Sequence, residues 1–233
     1  MPHYQDSITT IFKNTQLIIF DLDGTLYDQR KLRAKLYFSF ILNLLILRIK
    51  PKELKIVSEF RKQRELHKGY SSTSLHKDQY NWCTEKTKAS AVKVKNTIET
   101  MMLQMPLKFL KNALYPNLIS FIDLLKASGF KIAVYSDYPV DDKLSALGIV
   151  ADKTFFSTQE NIAQFKPSEK GLITICKSFR CSVNQALYIG DREDTDGESA
   201  RIAGMPFLKV NTKQARKGTF YGNLIKLLAN GKK

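Results

Sequence analysis

Cysteine is scarce in this chain: three residues in 233, at positions 83, 176 and 181, too few and too scattered to staple a fold. That excludes a disulfide scaffold and fits a reducing cytoplasm, where each thiol is expected as a small buried or half-buried side chain. Long apolar runs are also lacking. No stretch reaches the ~18 consecutive apolar residues that a membrane span needs. Residues 1–13 carry no basic start followed by an apolar run, so no signal peptide is expected there. His3, His67 and His76 are the only histidines. They show no ligand spacing such as His-x-x-x-His, and surface positions are expected for them. Cys176 and Cys181 lack a Cys-x-x-Cys spacing, which favours a place in a core helix over redox chemistry. No Pro/Gly/Ser-rich linker, repeat or low-complexity tract divides the chain. Any second module must therefore be an insertion packed on the first.

A hydrophobic fraction of 43% with 25% charged residues is ordinary globular composition and excludes disorder. The net charge of +15 is unevenly spread. Between positions 28 and 115 stand 19 Lys+Arg against 7 Asp+Glu, a balance of +12, and the remainder carries only +3. No basic run reaches five in a row and no motif interleaves aromatics with glycine, so a nucleic-acid partner is not expected.

Leu17-Ile18-Ile19-Phe20 is a short apolar run that ends abruptly in acidic and glycine residues, as a buried parallel strand does when it delivers a loop. Similar runs recur at 131–135, 186–189 and 206–210. Helical patterns separate them, at 117–128, 169–180 and 195–203, with Gly129, Gly148 and Gly204 at expected helix stops. This alternation predicts an α/β domain with a mainly parallel sheet, whose ligands bind where the strands' carboxyl ends deliver polar loops. Residues 29–113 break the alternation. They contain no good strand and several long helical patterns, and read as a helical insertion of roughly 85 residues.

Asp21 and Asp23 lie two apart just past the first strand, and in extended backbone such positions face one side. Gly24 permits a tight turn there, and Thr25 can donate to an anion or cap the turn. An acidic turn is a common surface feature, so the pair alone decides little. The other strand ends add to it. Ser136 follows the second run, Lys166-Pro167 precedes the third helix, and Gly190-Asp191 follows the third run with Asp196 five residues on.

With these four motifs in order, the chain resembles the haloacid dehalogenase superfamily of hydrolases, and the resemblance covers the whole α/β region. It implies a Rossmann-like three-layer core at 1–28 and 114–233 and an all-helical cap at 29–113. It implies that Asp21 attacks phosphorus and that water then hydrolyses the aspartyl-phosphate. Mg²⁺ would sit between Asp21, the Asp23 backbone carbonyl and Asp191. The Asp23 side chain would serve as acid and then base. Ser136 and Lys166, with Gly24, Thr25 and Asp137 beside them, would hold the phosphate oxygens. Asp196 would anchor the metal site or Lys166. Dehalogenating members lack a carboxylate at the position of Asp23, so its presence favours phosphate transfer. The expected activity is therefore a cytoplasmic Mg²⁺-dependent phosphatase acting on a small phosphate monoester. The +12 balance of the insertion and its apolar run at 36–47 point to a polyanionic or lipid-linked one. The alternatives are a phosphomutase, or a module without catalysis that binds an anionic partner or membrane. Asp194 is expected as a solvated turn or helix-start residue.

Within the insertion, residues 36–47 are interrupted only by Ser39 and Asn43. At 12 residues this run is too short to span a bilayer. A helix buried against its neighbours is expected. The alternative, a helix at a lipid surface or over an apolar substrate tail, draws on Lys35, Arg48, Lys50 and Lys52. Trp82 is expected to pack within the insertion.

Overall fold

The computed structural model of the chain describes residues 10–45 and 50–230, and their side chains except those of 42–45. The run Leu17–Phe20 forms β1 and is buried at every position. A strand buried on both faces must also satisfy its backbone on both edges. β1 does so by pairing in parallel with β2 (Lys131–Ser136) on one side and with β4 (Ala186–Gly190) on the other. β3 (Lys153–Phe156) and β5 (Phe207–Lys209) complete a five-stranded parallel sheet in the order β3-β2-β1-β4-β5. The edge strand β3 has no counterpart in the sequence reading. Only Phe155 of its four residues is buried, so it lacks the apolar run that marks the central strands.

Between β1 and β2 lie the helices α1 (Gln29–Leu45), α2 (Pro51–Leu66), α3 (Leu75–Thr87) and α4 (Ala91–Ile98), the last continued by a π-helical stretch, Glu99–Gln104. Pro51 begins α2, where its missing N–H and fixed φ do no harm. α2, α3 and α4 bury their own small core of Ile56, Phe60, Cys83, Val94, Ile98 and Met101. The segment leaves and rejoins the sheet at adjacent points. Tyr27 bridges Leu114, and the Asp28 amide donates to the Ala113 carbonyl at 2.8 Å. A second tie joins residues 69–72 to 163–166. Gly69 N donates to Lys166 O, Phe165 N to Tyr70 O, and Ser72 N to Ala163 O, all at 3.0–3.1 Å.

The expectation of a buried helix at 36–47 is met only in part. Leu36 is buried and Phe40 half-buried, while Tyr37 and Phe38 are 68% and 73% exposed and Ile41 is also exposed. Residues 46–48 and the side chains of 42–45 lie outside the described residues. No helix among the described residues is long and apolar enough to cross a membrane.

The period-two alternation of the central strands splits the core into two layers. Ile18, Phe20, Ile132, Val134 and Ile189 share one core layer with buried residues of α5 (Leu118–Ala127), α6 (Asp141–Leu147) and the C-terminal helix. Ile19, Tyr135 and Tyr188 face α7 (Lys170–Phe179), where Cys176 is buried, and α8 (Glu198–Ala203). The helix predicted from 195 opens instead as a π-helical turn, Glu193–Gly197. The C-terminal helix α9 (Thr219–Asn230) sends the Tyr221 hydroxyl to the Thr25 carbonyl at 2.6 Å. All three cysteines are free.

Candidate active site

Parallel register brings the predicted residues together. Phe20 stands beside Val134 on one strand and Ile189 on the other. The carboxyl ends of β1, β2 and β4 therefore deliver Asp21, Ser136 and Asp191 to one edge of the sheet, the edge where such folds bind ligands. All three line a cavity of about 550 Å³, with Asp23, Asp137, Lys166 and Asp196.

Asp21 is 7% exposed. Thr25 Oγ1 donates to its Oδ2 at 3.0 Å, and Lys166 Nζ donates to its Oδ1 at 2.8 Å. Thr25 thus orients the Asp21 carboxylate from within the turn. Gly24 makes that turn at φ +100°, and a Cβ there would lie 2.3 Å from Asp191 Oδ2. Any side chain at position 24 would push Asp191 out of the site.

Lys166, 3% exposed, is the electrostatic hub. Besides Asp21 it donates to Asp196 Oδ1 at 2.8 Å and to the Tyr135 carbonyl at 3.3 Å, and it lies over the rings of Tyr135 and Tyr188. Burial works to lower its pKa, but Asp196 and Asp21 outweigh that and hold the ammonium well above its ordinary value. Asp196 is fully committed. Its Oδ1 also accepts from Tyr188 OH at 2.8 Å, and its Oδ2 from the Arg192 amide at 3.1 Å. Burial, then the charge of Asp196, raises Asp21 well above the usual carboxylate range, and the same two causes push Asp191 up to about 6.

Oxygens of Asp21, Asp191 and Asp196 lie within 4.8 Å of one another. Asp191 Oδ1 is one of two buried side-chain polar atoms among the described residues without a hydrogen-bond partner. A buried carboxylate oxygen left bare beside two further carboxylates is costly unless a cation meets it. The donors are all oxygen, which suits a hard divalent ion such as Mg²⁺. Asp196 already accepts three hydrogen bonds, whereas each Asp21 oxygen accepts one and Asp191 Oδ1 accepts none, so the lone pairs left for a cation lie chiefly on Asp191 and Asp21.

Three participants were not legible in the sequence. Lys143, on α6 and 7% exposed, holds Asp23 through both carboxylate oxygens at 2.6 and 2.9 Å. Tyr27 OH donates to the same carboxylate. Burial works to raise Asp23, yet Lys143 and then Tyr27 outweigh it and keep Asp23 below its ordinary pKa. Arg64 of α2 donates to the Asp137 carbonyl at 2.6 Å from between the rings of Tyr138 and Phe165, 4.0 and 4.2 Å from their centroids. None of the three belongs to a spaced motif. Their one signal is burial of a polar side chain, which only the fold reveals.

Ser136 and Asp137 line the cavity and also brace their own loop. Ser136 Oγ accepts from the Tyr138 amide at 3.2 Å. The Asp137 carboxylate accepts from Ser157 and from the Lys166 amide, so it braces the loop that carries Lys166. Asp194 is exposed at the start of the π-helical turn, as expected, but it is not without partners. It pairs with Lys68 of the helical segment at 2.6 Å and with Arg192 at 2.8 Å, while Arg192 also holds Glu65. His67, expected on the surface, is half-buried and stacks on Trp82 with centroids 3.7 Å apart. Trp82 in turn meets Phe165 edge-on, at the seam between insertion and sheet.

Residues 18–210 match the family model described as haloacid dehalogenase-like hydrolase. Glyceraldehyde 3-phosphate phosphatase of Methanopyrus kandleri is 27% identical over 196 residues, covering 83% of this chain and 82% of that protein. Among solved structures, 2-haloacid dehalogenase of Pseudomonas syringae matches with a TM-score of 0.60 at 17% identity, over 93% of this chain and 99% of that one. β-Phosphoglucomutase of Clostridium difficile gives 0.58 at 16%, over 93% and 98%. The structural matches establish a shared fold; the chemistry has to be read from the site itself.

Proposed function

The chain belongs to the haloacid dehalogenase-like hydrolases, and we propose that it hydrolyses a small phosphate monoester, with Asp21 as nucleophile. The observation that carries this reading is the second carboxylate. Asp23 lines the same cavity as Asp21, held by Lys143 and Tyr27. Carbon–halogen cleavage has no use for such a group, whereas an ester oxygen leaving as an alkoxide needs a proton.

In the first step an Asp21 oxygen bonds to phosphorus as the bond to the ester oxygen breaks, and the departing oxygen takes a proton from Asp23. The incoming phosphate dianion raises the Asp23 pKa by like-charge repulsion, opposing Lys143, so the proton is present when it is needed. In the second step Asp23 removes a proton from water, whose oxygen bonds to phosphorus, and Asp21 leaves as the carboxylate. Lys166 and Ser136 hold the non-bridging oxygens as charge gathers on them. Thr25 keeps Asp21 aimed, and Asp196 with Tyr188 keeps Lys166 in place. Asp21, the Asp23 carbonyl and Asp191 would hold Mg²⁺. The ion's chemistry there is to offset the repulsion between a carboxylate and a phosphate dianion. The helical segment 29–113 serves as a cap that excludes water from the cavity, tied to the sheet by Arg64, Lys68 and the 69–72 segment.

Asp23→Ala is expected to slow turnover by ~10²–10⁴. The loss should be larger for alkyl phosphates than for nitrophenyl phosphate, whose leaving oxygen needs little help. Steady-state rates on the two substrates check this, and an equal loss on both would rule out the acid role.

A second expectation follows from Asp191. Its folded pKa of about 6 exceeds the ordinary carboxylate value. A group raised on folding contributes stability below its unfolded pKa, and that contribution is lost as pH rises through the folded one. The metal-free protein should therefore lose stability as pH climbs from 4 past 6. Asp191→Asn should flatten that slope and raise the neutral-pH stability of the metal-free protein by on the order of 1 kcal/mol, roughly 2–4 °C. Mg²⁺ should raise the melting midpoint of the wild type and hardly move that of the variant. Calorimetry with and without Mg²⁺ reads both effects, and an Asn variant still stabilised by Mg²⁺ would remove Asp191 from the metal site.

A further inference from the structure

Sorting the cations of the cavity wall by partner separates two from the rest. Lys166 is neutralised by Asp21 and Asp196, Lys143 by Asp23, and Arg192 by Glu65 and Asp194. Arg33 and Arg61 also line the cavity, and among the described residues neither has a carboxylate partner. Both come from the helical segment, whereas the carboxylates of Asp21, Asp191 and Asp196 come from the strand ends and the turn after β4. Helical phase sets both arginines in the cavity wall. Gln29, Leu32, Arg33 and Leu36 form one stripe of α1, and all four line the cavity. Arg61 lies one turn before Glu65 on the side of α2 that reaches the Arg192 loop.

Arg33 is braced for a ligand. Its Nη2 donates to Gln29 Oε1 at 2.7 Å, one turn back on the same helix. A guanidinium carries five N–H donors in a fixed fork, so most of them are left for an incoming group. The charges of both arginines reach into the site. Burial raises the hydroxyls of Tyr27 and Tyr138, and Arg33 pulls against that rise at Tyr27 while Arg61 does so at Tyr138. The lining also includes apolar side chains, Leu32, Leu36, Met102, Leu103 and Pro106. The volume of about 550 Å³ exceeds what a single phosphoryl group fills.

We propose that the cavity takes a phosphate ester carrying a second anionic group at its far end, and that Arg33 and Arg61 bind that group across a short, largely apolar stretch of substrate. This rests on the phosphatase reading above. The second group is a phosphate or a carboxylate, since a guanidinium fork binds either in a bidentate fashion. Arg33 and Arg61 touch neither the nucleophile nor the scissile bond. They are specificity residues, and their contribution is binding that persists from substrate to transition state.

The test compares esters matched in length: propanediol bisphosphate, phosphooxypropanoate and hydroxypropyl phosphate, with nitrophenyl phosphate alongside. In the wild type with Mg²⁺, one or both anionic-tail esters should exceed the neutral-tail ester by roughly tenfold or more in kcat/KM, mainly through KM. In the Arg33→Met/Arg61→Met double variant that ratio should fall to about twofold or less. Whichever tail loses more identifies the group that is bound. Lys31→Met, an exposed change on α1 away from the cavity lining, should keep the wild-type ratio. A wild-type ratio near one, with nitrophenyl phosphate hydrolysed, overturns the proposal and leaves the phosphatase reading standing. So does a ratio that survives in the double variant, or one that Lys31→Met lowers equally. No turnover of any ester, nitrophenyl phosphate included, refutes the phosphatase reading and this proposal with it.

Discussion

Replacing Asp21 by Asn is expected to lower kcat by about four orders of magnitude or more while the protein stays folded. The substitution changes little in shape. The amide oxygen can still accept from Lys166, and the amide nitrogen can donate to Thr25 Oγ1, whose hydroxyl turns to accept it. The electrostatic change is favourable for folding. Burial and the neighbouring Asp196 hold the Asp21 pKa high, so removing the charge relieves repulsion, and Lys166 keeps Asp196 as its partner. The melting midpoint should fall by no more than a few degrees or rise. Only the nucleophile is lost, and an amide oxygen is a poor one. Phosphate release and calorimetry on the same sample test both halves. Activity within about a hundredfold of the wild type would place the nucleophile elsewhere.

Lys166→Met should damage the fold and the chemistry together. The variant leaves Asp21 and Asp196 facing each other in a buried site with no cation between them. Breaking a buried pair by removing one partner costs roughly 3–5 kcal/mol, on the order of 10 °C in the melting midpoint of a domain this size. Turnover should drop by ~10²–10³, as when one stabilising donor is lost from a water-excluded site. A second substitution separates the two effects. Adding Asp196→Asn to Lys166→Met removes the uncompensated carboxylate, so stability should recover in part while activity stays low. Equal stability of Lys166→Met and the wild type would mean that Lys166 is not the buried hub described above.

The sheet was readable because its central strands are buried on both faces and therefore spell continuous apolar runs, as Leu17-Ile18-Ile19-Phe20 does. β3 escaped because an edge strand can be mostly wet, and Lys153 and Thr154 supply no apolar run. The helix before Gly204 was placed, yet its first turn is π-helical, set by Asp196 turning inward to Lys166 and Tyr188. The acidic pair was readable because two carboxylates past a strand end face one way. What surrounds Asp23 was not, since Lys143 lies 120 residues away in the chain and looks like any helix lysine until it is buried. The same holds for Asp194, whose partner Lys68 comes from across the seam between insertion and sheet, while His67 is covered by Trp82 from within the insertion. The basic excess between 28 and 115 was plain in the sequence. That two of those charges, Arg33 and Arg61, face the cavity with no carboxylate partner among the described residues depends on helical phase and packing.

Covalent catalysis by Asp21 is tested most directly by trapping the enzyme during turnover. Protein mixed with Mg²⁺ and excess phosphate ester would be quenched in acid and digested, and its peptides weighed. The predicted result is one phosphoryl group on the peptide that carries Asp21, absent from Asp21→Asn, with inorganic phosphate released one for one with ester consumed. Inorganic phosphate formed with no phosphorylated peptide, or a phosphoryl group carried by any residue other than Asp21, would contradict it.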